Sequence, residues 1–468
     1  MSVLKRFRIA CVGVVLSGLA AVPSYADTLA DALAAAYRNS NLLAQNRALL
    51  RASDEDVQQA IAAIGPVVEF VTSALTNTAN APHYRLSFGI TASATLFDFG
   101  RGRLAIDATH QQVLSARAGL IVVEQNVLFD AARAYLSLFS ELQSVELQRN
   151  SVSVISEQMR AARERFQLGD STRTDVAIAE ARLAAARSAL SAAEGNVAVA
   201  REEYNLSVGR YPQGLSQPPR LPRIPGTLAE AQDIARRYHP AITQSQHQVN
   251  AADIAVEISR TQRYGTVTGS LAAEARTQSA PPFPVAGSAD LTASMRYAVP
   301  IYNGGRLNSA ERQAVARGQA SRAGLHQTVA IVQQAVASNW AQLQVARARL
   351  AAGDLQIDAS RSAYEAVRAE VELGSRTTLE LLNAEQELLD ARSSRILASA
   401  AVQTAAYALL NTMGQMTVTS LGLGIPTYDV EAYSSNLRRE GPRETPSEQG
   451  RRLDRVLGRY YRGENDQP

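Results

Sequence analysis

The chain of 468 residues has very little cysteine, lysine or tryptophan, with Cys11, Lys5 and Trp340 the sole examples of each. Cys11 lies near the N-terminus, and the chain beyond it has no thiol, which excludes disulfides, thiolate metal sites and cysteine nucleophiles there. Aromatic residues are also scarce, at 6%, while Ala fills about one position in six. A globular core of large side chains is therefore not expected, and long, closely packed helices suit the composition better. After Val22 no apolar run reaches the roughly 18 residues that a membrane helix needs.

What the N-terminus does have is Lys5, Arg6 and Arg8 ahead of an apolar run from Ile9 to Val22, then Ser24-Tyr25-Ala26 with small residues placed for a cut before Asp27. This predicts a signal peptide over 1–26. A lipidated N-terminus is the alternative, but Cys11 sits before most of the apolar run, behind Arg8, where a lipobox should have an aliphatic residue. Removing the leader leaves 44 cations and 44 anions, a balance that points away from a nucleic-acid partner. His83, His110, His239, His247 and His326 have no ligand spacing, and neither a nucleophile with its base nor a Gly-rich phosphate loop is present. No metal, no cofactor and no catalysis are expected.

Two halves of the chain repeat one another. LFDFGR from Leu96 matches IYNGGR from Ile301, and LGDSTRTDVAIAEARLAAAR from Leu168 lies over LGSRTTLELLNAEQELLDAR from Leu373, both 205 residues on. Gly169 falls on Gly374, Glu180 on Glu385 and Tyr135 on Trp340. The openings at Thr28 and Thr227 match at 199, so one short length difference lies between. Such a period fits a duplicated unit rather than a solenoid. The expected parts are the leader, a first unit over 27–210, a Pro-rich crossover over 211–226, a second unit over 227–414, and an equatorial segment with a disordered polar tail over 415–468.

No proline occurs between Pro82 and Pro212 or between Pro300 and Pro426, which permits unusually long helices. Val176, Ala179, Leu183 and Ala186 begin a series of alternating three and four spacings that runs to Tyr204. Leu381, Ala384, Leu388 and Ala391 repeat it, with Arg395 as the exception. A similar series from Val127 to Phe166 precedes the first Leu-Gly pair. These patterns predict coiled-coil hairpins, the first opening with a helix from about Leu104 to Leu168, on the order of 100 Å long at about 1.5 Å per residue. Leu168-Gly169 and Leu373-Gly374 mark sharp turns, and Thr172 with Asp175, and Thr377 with Glu380, have the spacing of capping boxes.

Ahead of each hairpin the period switches to two. Candidate strands are Val67 to Thr78, Tyr84 to Phe97, Thr266 to Arg276 and Ala289 to Tyr302, the last two separated by a loop with Pro281, Pro282 and Pro284. They have about the length of transmembrane strands, and one face of each is weakly polar, as a water-filled lumen needs. Four strands close no barrel of useful width, and lipid tolerates no open edge. Several copies must share one barrel.

From about Thr28 to Tyr433 these features together resemble the TolC family of outer-membrane channel-tunnels. TLADALAAAYRNSNLLAQ and RFQLGDSTRTDVAIAEARLAAAR are most similar to its type I secretion branch. The resemblance implies a mainly α fold with a membrane β-barrel: a homotrimer whose 12-stranded barrel, four strands per protomer, sits in outer-membrane lipid of a Gram-negative bacterium and continues as a coiled-coil α-barrel across the periplasm. It also implies a periplasmic adaptor (membrane fusion) protein and an inner-membrane ABC transporter or proton-driven pump at the closed tip, with an exported polypeptide or small molecule passing through.

By position, the resemblance makes Asp175, Arg376, Glu380 and Asn383 the gate, and Leu168, Gly169, Asp170, Leu373, Gly374 and Ser375 the adaptor-docking tips. Thr172 and Thr377 cap the returning helices. Asn383 stands where the family often has a second Asp, and Val371 where some relatives have an aromatic residue. A pair between Arg376 and Asp175 of neighbouring hairpins would oppose splaying. The plainer readings are that Asp175 and Glu380 only cap helices, that Arg376 is a solvated turn residue, and that Tyr135 and Trp340 fill interhelical gaps. Type I protein export is the leading function, with drug or metabolite efflux as the alternative. A pore-less periplasmic scaffold is disfavoured by the four membrane-length strands, and a simple porin by the helical content.

Overall fold

The computed structural model describes residues 26–77, 83–169, 171–280 and 283–430; the predicted leader, Asp170 and the tail beyond 430 lie outside them, apart from Ala26. Helices α1 (Leu29–Asn39) and α2 (Asn41–Ala62) lead into strands β1 (Val67–Asn77) and β2 (His83–Phe97), then α3 (Arg101–Leu168) and α4 (Arg173–Val208). The order repeats as α5 (Leu228–Tyr238), α6 (Pro240–Thr261), β3 (Thr266–Ala280), β4 (Phe283–Ala298), α7 (Arg306–Glu372) and α8 (Thr378–Thr412). Equivalent helices have 11 and 11, 22 and 22, 68 and 67, and 36 and 35 residues. The halves are one unit used twice.

The long helices start where a strand ends in a tight turn. Asp98 accepts the N–H groups of Gly100 and Gly102 at 3.0 and 2.6 Å, satisfying donors that the first turn of α3 would otherwise leave free. With no proline inside it, α3 continues unbroken to the tip. Its buried stripe is rich in small residues, and Ala131 and Ala132 on α3, Ala179 on α4, and Ala391 and Ala406 on α8 are wholly buried, which lets helix axes approach closely. Arg395, the exception in the apolar series, stands against the buried Gly353 of α7, and its guanidinium pairs with Asp354 at 2.5 Å. Phe166, placed in the seam by its spacing, is exposed instead, because it lies in the last turn of α3 where little packs over it.

The main core lies midway, where α1, α5 and the ends of α4 and α8 meet the long helices. Tyr135 is wholly buried there, and its hydroxyl donates to the Asp27 and Ser216 carbonyls at 3.0 and 2.6 Å. Asp27 also pairs with Arg210 at 2.8 Å. The start of the first unit and the crossover are thereby fastened to the same point on α3. The segment after α8 returns to this level, where Val418 and Met416 are buried and Tyr428 and Tyr37 hold the Arg47 guanidinium between their rings at 5.1 and 4.9 Å.

The strands form one antiparallel sheet in the order β1-β2-β3-β4. Phe70, Ile90, Ala273 and Leu291 lie in a row across one face, while Glu69, Arg85, Glu274, Arg276 and Asp290 belong to the other. This alternation is that of a barrel wall with lipid outside and water inside. β4 begins at Phe283 rather than near Ala289, so Pro284 is within a strand. It is tolerated because it is second in an outermost strand, where a missing N–H need not break the ladder. No described helix is long and apolar enough to cross a membrane.

Candidate functional site

The two hairpin tips are built by the same local chemistry. α3 ends on Gly169, whose φ of 86° lets its N–H reach back to the Arg165 and Phe166 carbonyls. Thr172 then opens α4. Its hydroxyl oxygen accepts the Asp175 N–H at 3.2 Å, and Asp175 Oδ2 accepts the Thr172 N–H at 3.0 Å and the Thr172 and Ser171 hydroxyls at 2.8 and 3.1 Å. These bonds, the one from the Thr172 backbone foremost, hold the Asp175 carboxyl below the ordinary carboxylate range. At the second tip Gly374 has a φ of 77°, and the Ser375 N–H and hydroxyl both reach the Glu370 carbonyl at 2.9 Å. Leu168 and Leu373 are exposed at the two tips, and Asp170 lies outside the described residues.

Thr377 and Glu380 repeat the reciprocal cap, with the Thr377 N–H donating to Glu380 Oε2 at 2.9 Å. A clasp is added here that the described residues of the first tip do not make. Arg376 donates through Nε to Glu370 at 2.8 Å and through Nη1 to Glu380 at 3.1 Å, tying the last turn of α7 to the first turn of α8. The Thr377 backbone bond, then Arg376, holds the Glu380 carboxyl below its usual range. Within one chain the structure thus brings Arg376 to Glu380 and Glu370 but not to Asp175, which is engaged in its own cap.

One turn inward the two hairpins touch. Arg182 on α4 donates to Asn383 Oδ1 at 3.0 Å, and Leu382 packs with Ala162 and Ala179. Glu385 follows on α8, buried, and among the described residues its Oε2 has no hydrogen-bond partner. Burial pushes its carboxyl up to about 7, against the opposing pull of Arg392. Its duplicate Glu180 is half exposed and paired with Arg163 at 2.5 Å. The difference has a local cause: Arg368, which takes the place of Arg163, pairs with Glu372 at 3.3 Å, and Glu372 stands where the first unit has Gln167.

Sequence reasoning missed Glu370, Arg182 and the burial of Glu385. Arg182 and Asn383 are 201 residues apart, and no periodicity reports such a pair. The exchange of Gln167 for Glu372 was a readable signal that Arg368 had a nearer partner than Glu385. No group of described residues could hold a metal ion.

The chain belongs to the outer membrane efflux protein family, which matches residues 32–210 and 232–415, one stretch in each half. It is 34% identical over 429 residues to the outer membrane efflux protein BepC of Brucella suis, covering 90% of this chain and 92% of that protein. With the alkaline protease secretion protein AprF of Pseudomonas aeruginosa it shares 26% identity over 282 residues, 57% of either chain. The solved structure of CusC matches its fold with a TM-score of 0.72 at 19% identity, over 83% of this chain and 92% of that one. The protomer is that of a trimeric channel-tunnel of the outer membrane of a Gram-negative bacterium, a duct that performs no catalysis.

Proposed function

We propose that this duct is the exit stage of a type I protein secretion system, with three copies passing a polypeptide across the periplasm and outer membrane in one step. The observation that carries the duct is the direct continuation of a membrane-height sheet into helices about 100 Å long. The finer reading is supported by the similarity to AprF, a protein named for protease secretion. The leader over 1–26 delivers the chain, the units over 27–210 and 227–414 form the wall, the crossover over 211–226 and the segment from 415 belt its middle. A periplasmic adaptor with its inner-membrane ABC transporter meets Leu168, Gly169, Asp170, Leu373, Gly374 and Ser375 at the tips.

The second reading, drug or metabolite efflux with a proton-driven pump, is favoured by the larger coverage of BepC, a protein named for efflux. Deleting the gene separates the two. Loss of particular polypeptides from the culture supernatant with unchanged drug sensitivity supports secretion, whereas an intact set of exported proteins with new sensitivity to dyes and detergents overturns it in favour of efflux.

The gate in this reading is Asp175, Arg376, Glu380 and Asn383. Three-fold symmetry directs three Glu380 carboxylates toward one axis, where like charges repel and draw cations, and the Arg376 clasp limits that repulsion. Exposed ion pairs are individually weak, so the clasp is one that a docking adaptor can undo. Arg376→Ser is expected to raise the closed-state conductance several-fold in planar bilayers and to sensitise cells to large antibiotics. Unchanged conductance would remove Arg376 from the gate.

A further inference from the structure

We propose that neighbouring copies join by laying β4 of one against β1 of the next in a register that the internal duplication specifies, with Ala298 opposite Val71 and Arg296 opposite Ser73. This rests on the three-copy barrel described above and adds to it the pairing of the seam.

β1 and β4 are the outermost strands, and among the described residues each pairs on one side only. Two offsets relate the halves. α2 and β1 begin at Asn41 and Val67, and α6 and β3 begin at Pro240 and Thr266, 199 residues on in both cases. The exit of β2 at Leu96 and the start of α3 at Arg101 recur at Ile301 and Arg306, 205 on. Applied to the first hairpin, these offsets reproduce the second. Val67 faces Ser93, and their equivalents Thr266 and Ala298 face one another; Val71 faces Gly89, and so do Ser270 and Ser294. Duplication has preserved backbone pairing to the residue.

The chain holds one junction of the other kind, β2 against β3, where the second strand of one unit meets the first strand of the next. Its equivalent is β4 against β1 of the following copy. Ser93 faces Ser270 and Thr91 faces Ala272, and the same two offsets turn these into Ala298 with Val71 and Arg296 with Ser73. Such a register also keeps faces in phase, because Met295 then meets Ala74 on the lipid side while Arg296 and Ser73 look into the lumen.

Burial supports the assignment independently. At the β2–β3 junction Leu96 lies over Gly269, so closely that a Cβ there would stand 3.0 Å from Leu96 Cδ1, and Phe97 faces Val267. The equivalents at the seam are Ile301 over Phe70 and Tyr302 facing Val68. In one chain these four are bare, at 99%, 69%, 89% and 67% exposure, and the seam sets them side by side. The strand lengths agree. β2 runs to Phe97 because β3 accompanies it, whereas β4 stops at Ala298, four residues short of the equivalent Tyr302, where no strand of its own chain remains to pair with it.

The absence of cysteine after the leader makes the test free of background. Opposed residues have Cα atoms about 4.5–5.5 Å apart, within disulfide reach, and a slip of two residues moves them apart by about 7 Å. Arg296→Cys with Ser73→Cys, and Met295→Cys with Ala74→Cys, are expected to run as covalent trimers on non-reducing gels after oxidation; together they sample both kinds of ladder pair. Arg296→Cys combined with Val71→Cys or Leu75→Cys is expected to give no trimer band. Preferential cross-linking of a slipped pair overturns the register and leaves the three-copy barrel standing. No cross-link in any pair overturns the register as well, and light scattering in detergent then shows whether the trimer falls with it.

Discussion

Gly265→Ala is expected to abolish heat-resistant trimers in the outer membrane. Gly265 joins the 3-10 turn Gln262–Tyr264 to β3, with φ 79° and ψ −162°, a combination that only glycine adopts readily and that costs any other residue about 1–3 kcal/mol. A Cβ would also overlap the Ala298 carbonyl oxygen and stand 2.9 Å from Val299 Cγ2. The obstruction is backbone, and that of a residue already paired with Thr266 across the β3–β4 ladder, so it cannot turn aside as a side chain would. Relief requires either parting the last ladder rung or moving the helix that feeds the strand, and both disturb the place where barrel becomes tunnel. Gly304→Ala is the control. Its φ of 62° is also in the left-handed region, but among the described residues nothing lies within 4 Å of the added atom, so trimers are expected to survive in reduced yield. Seminative gels of outer-membrane fractions check both, and equal trimer yield from the two variants would show that the Ala298 contact carries no weight.

Much of this fold is legible in the sequence because its determinants are local or periodic. The αα-hairpins follow from missing prolines and a three-four spacing, the strands from a period of two, and the tips from Gly169, Gly374 and two Thr-x-x-acid steps whose partners are three residues apart. What is illegible depends on long-range geometry. Nothing near Arg182 announces Asn383, and nothing near Tyr135 announces that its hydroxyl fastens Asp27 and Ser216. The start of β4 was obscured by Pro284, since proline marks a loop unless the strand is known to be outermost. For Arg376, sequence position suggests Asp175 of a neighbouring hairpin; within its own chain Arg376 bonds Glu370 and Glu380, and of these only the i,i+4 step to Glu380 is readable from spacing.

Glu385→Gln is expected to remove a pH dependence from both stability and conductance. The Glu385 carboxyl is buried on α8, about 12 Å inward from Thr377 at about 1.5 Å per residue. It faces Tyr364 on α7, itself pushed up by burial and by Glu385, and Arg392 on α8. A folded-state value of about 7 against an ordinary 4.5 means that the folded chain holds this proton more firmly than the unfolded one. Its contribution is therefore fully present below pH 4.5 and is lost as pH rises through 7, a difference of at most about 3 kcal/mol per protomer. The parent should lose thermal stability relative to the variant between pH 5 and 8, with the two converging at the acid end. Glu385 faces Tyr364 across the α7–α8 seam, two residues from Asn383, which bonds Arg182 on α4, so its ionisation loosens the second hairpin at the level where the hairpins touch; bilayer conductance of the parent should rise over the same interval and that of Glu385→Gln should stay flat. Parallel pH profiles in the two proteins would take Glu385 out of any titration of the channel.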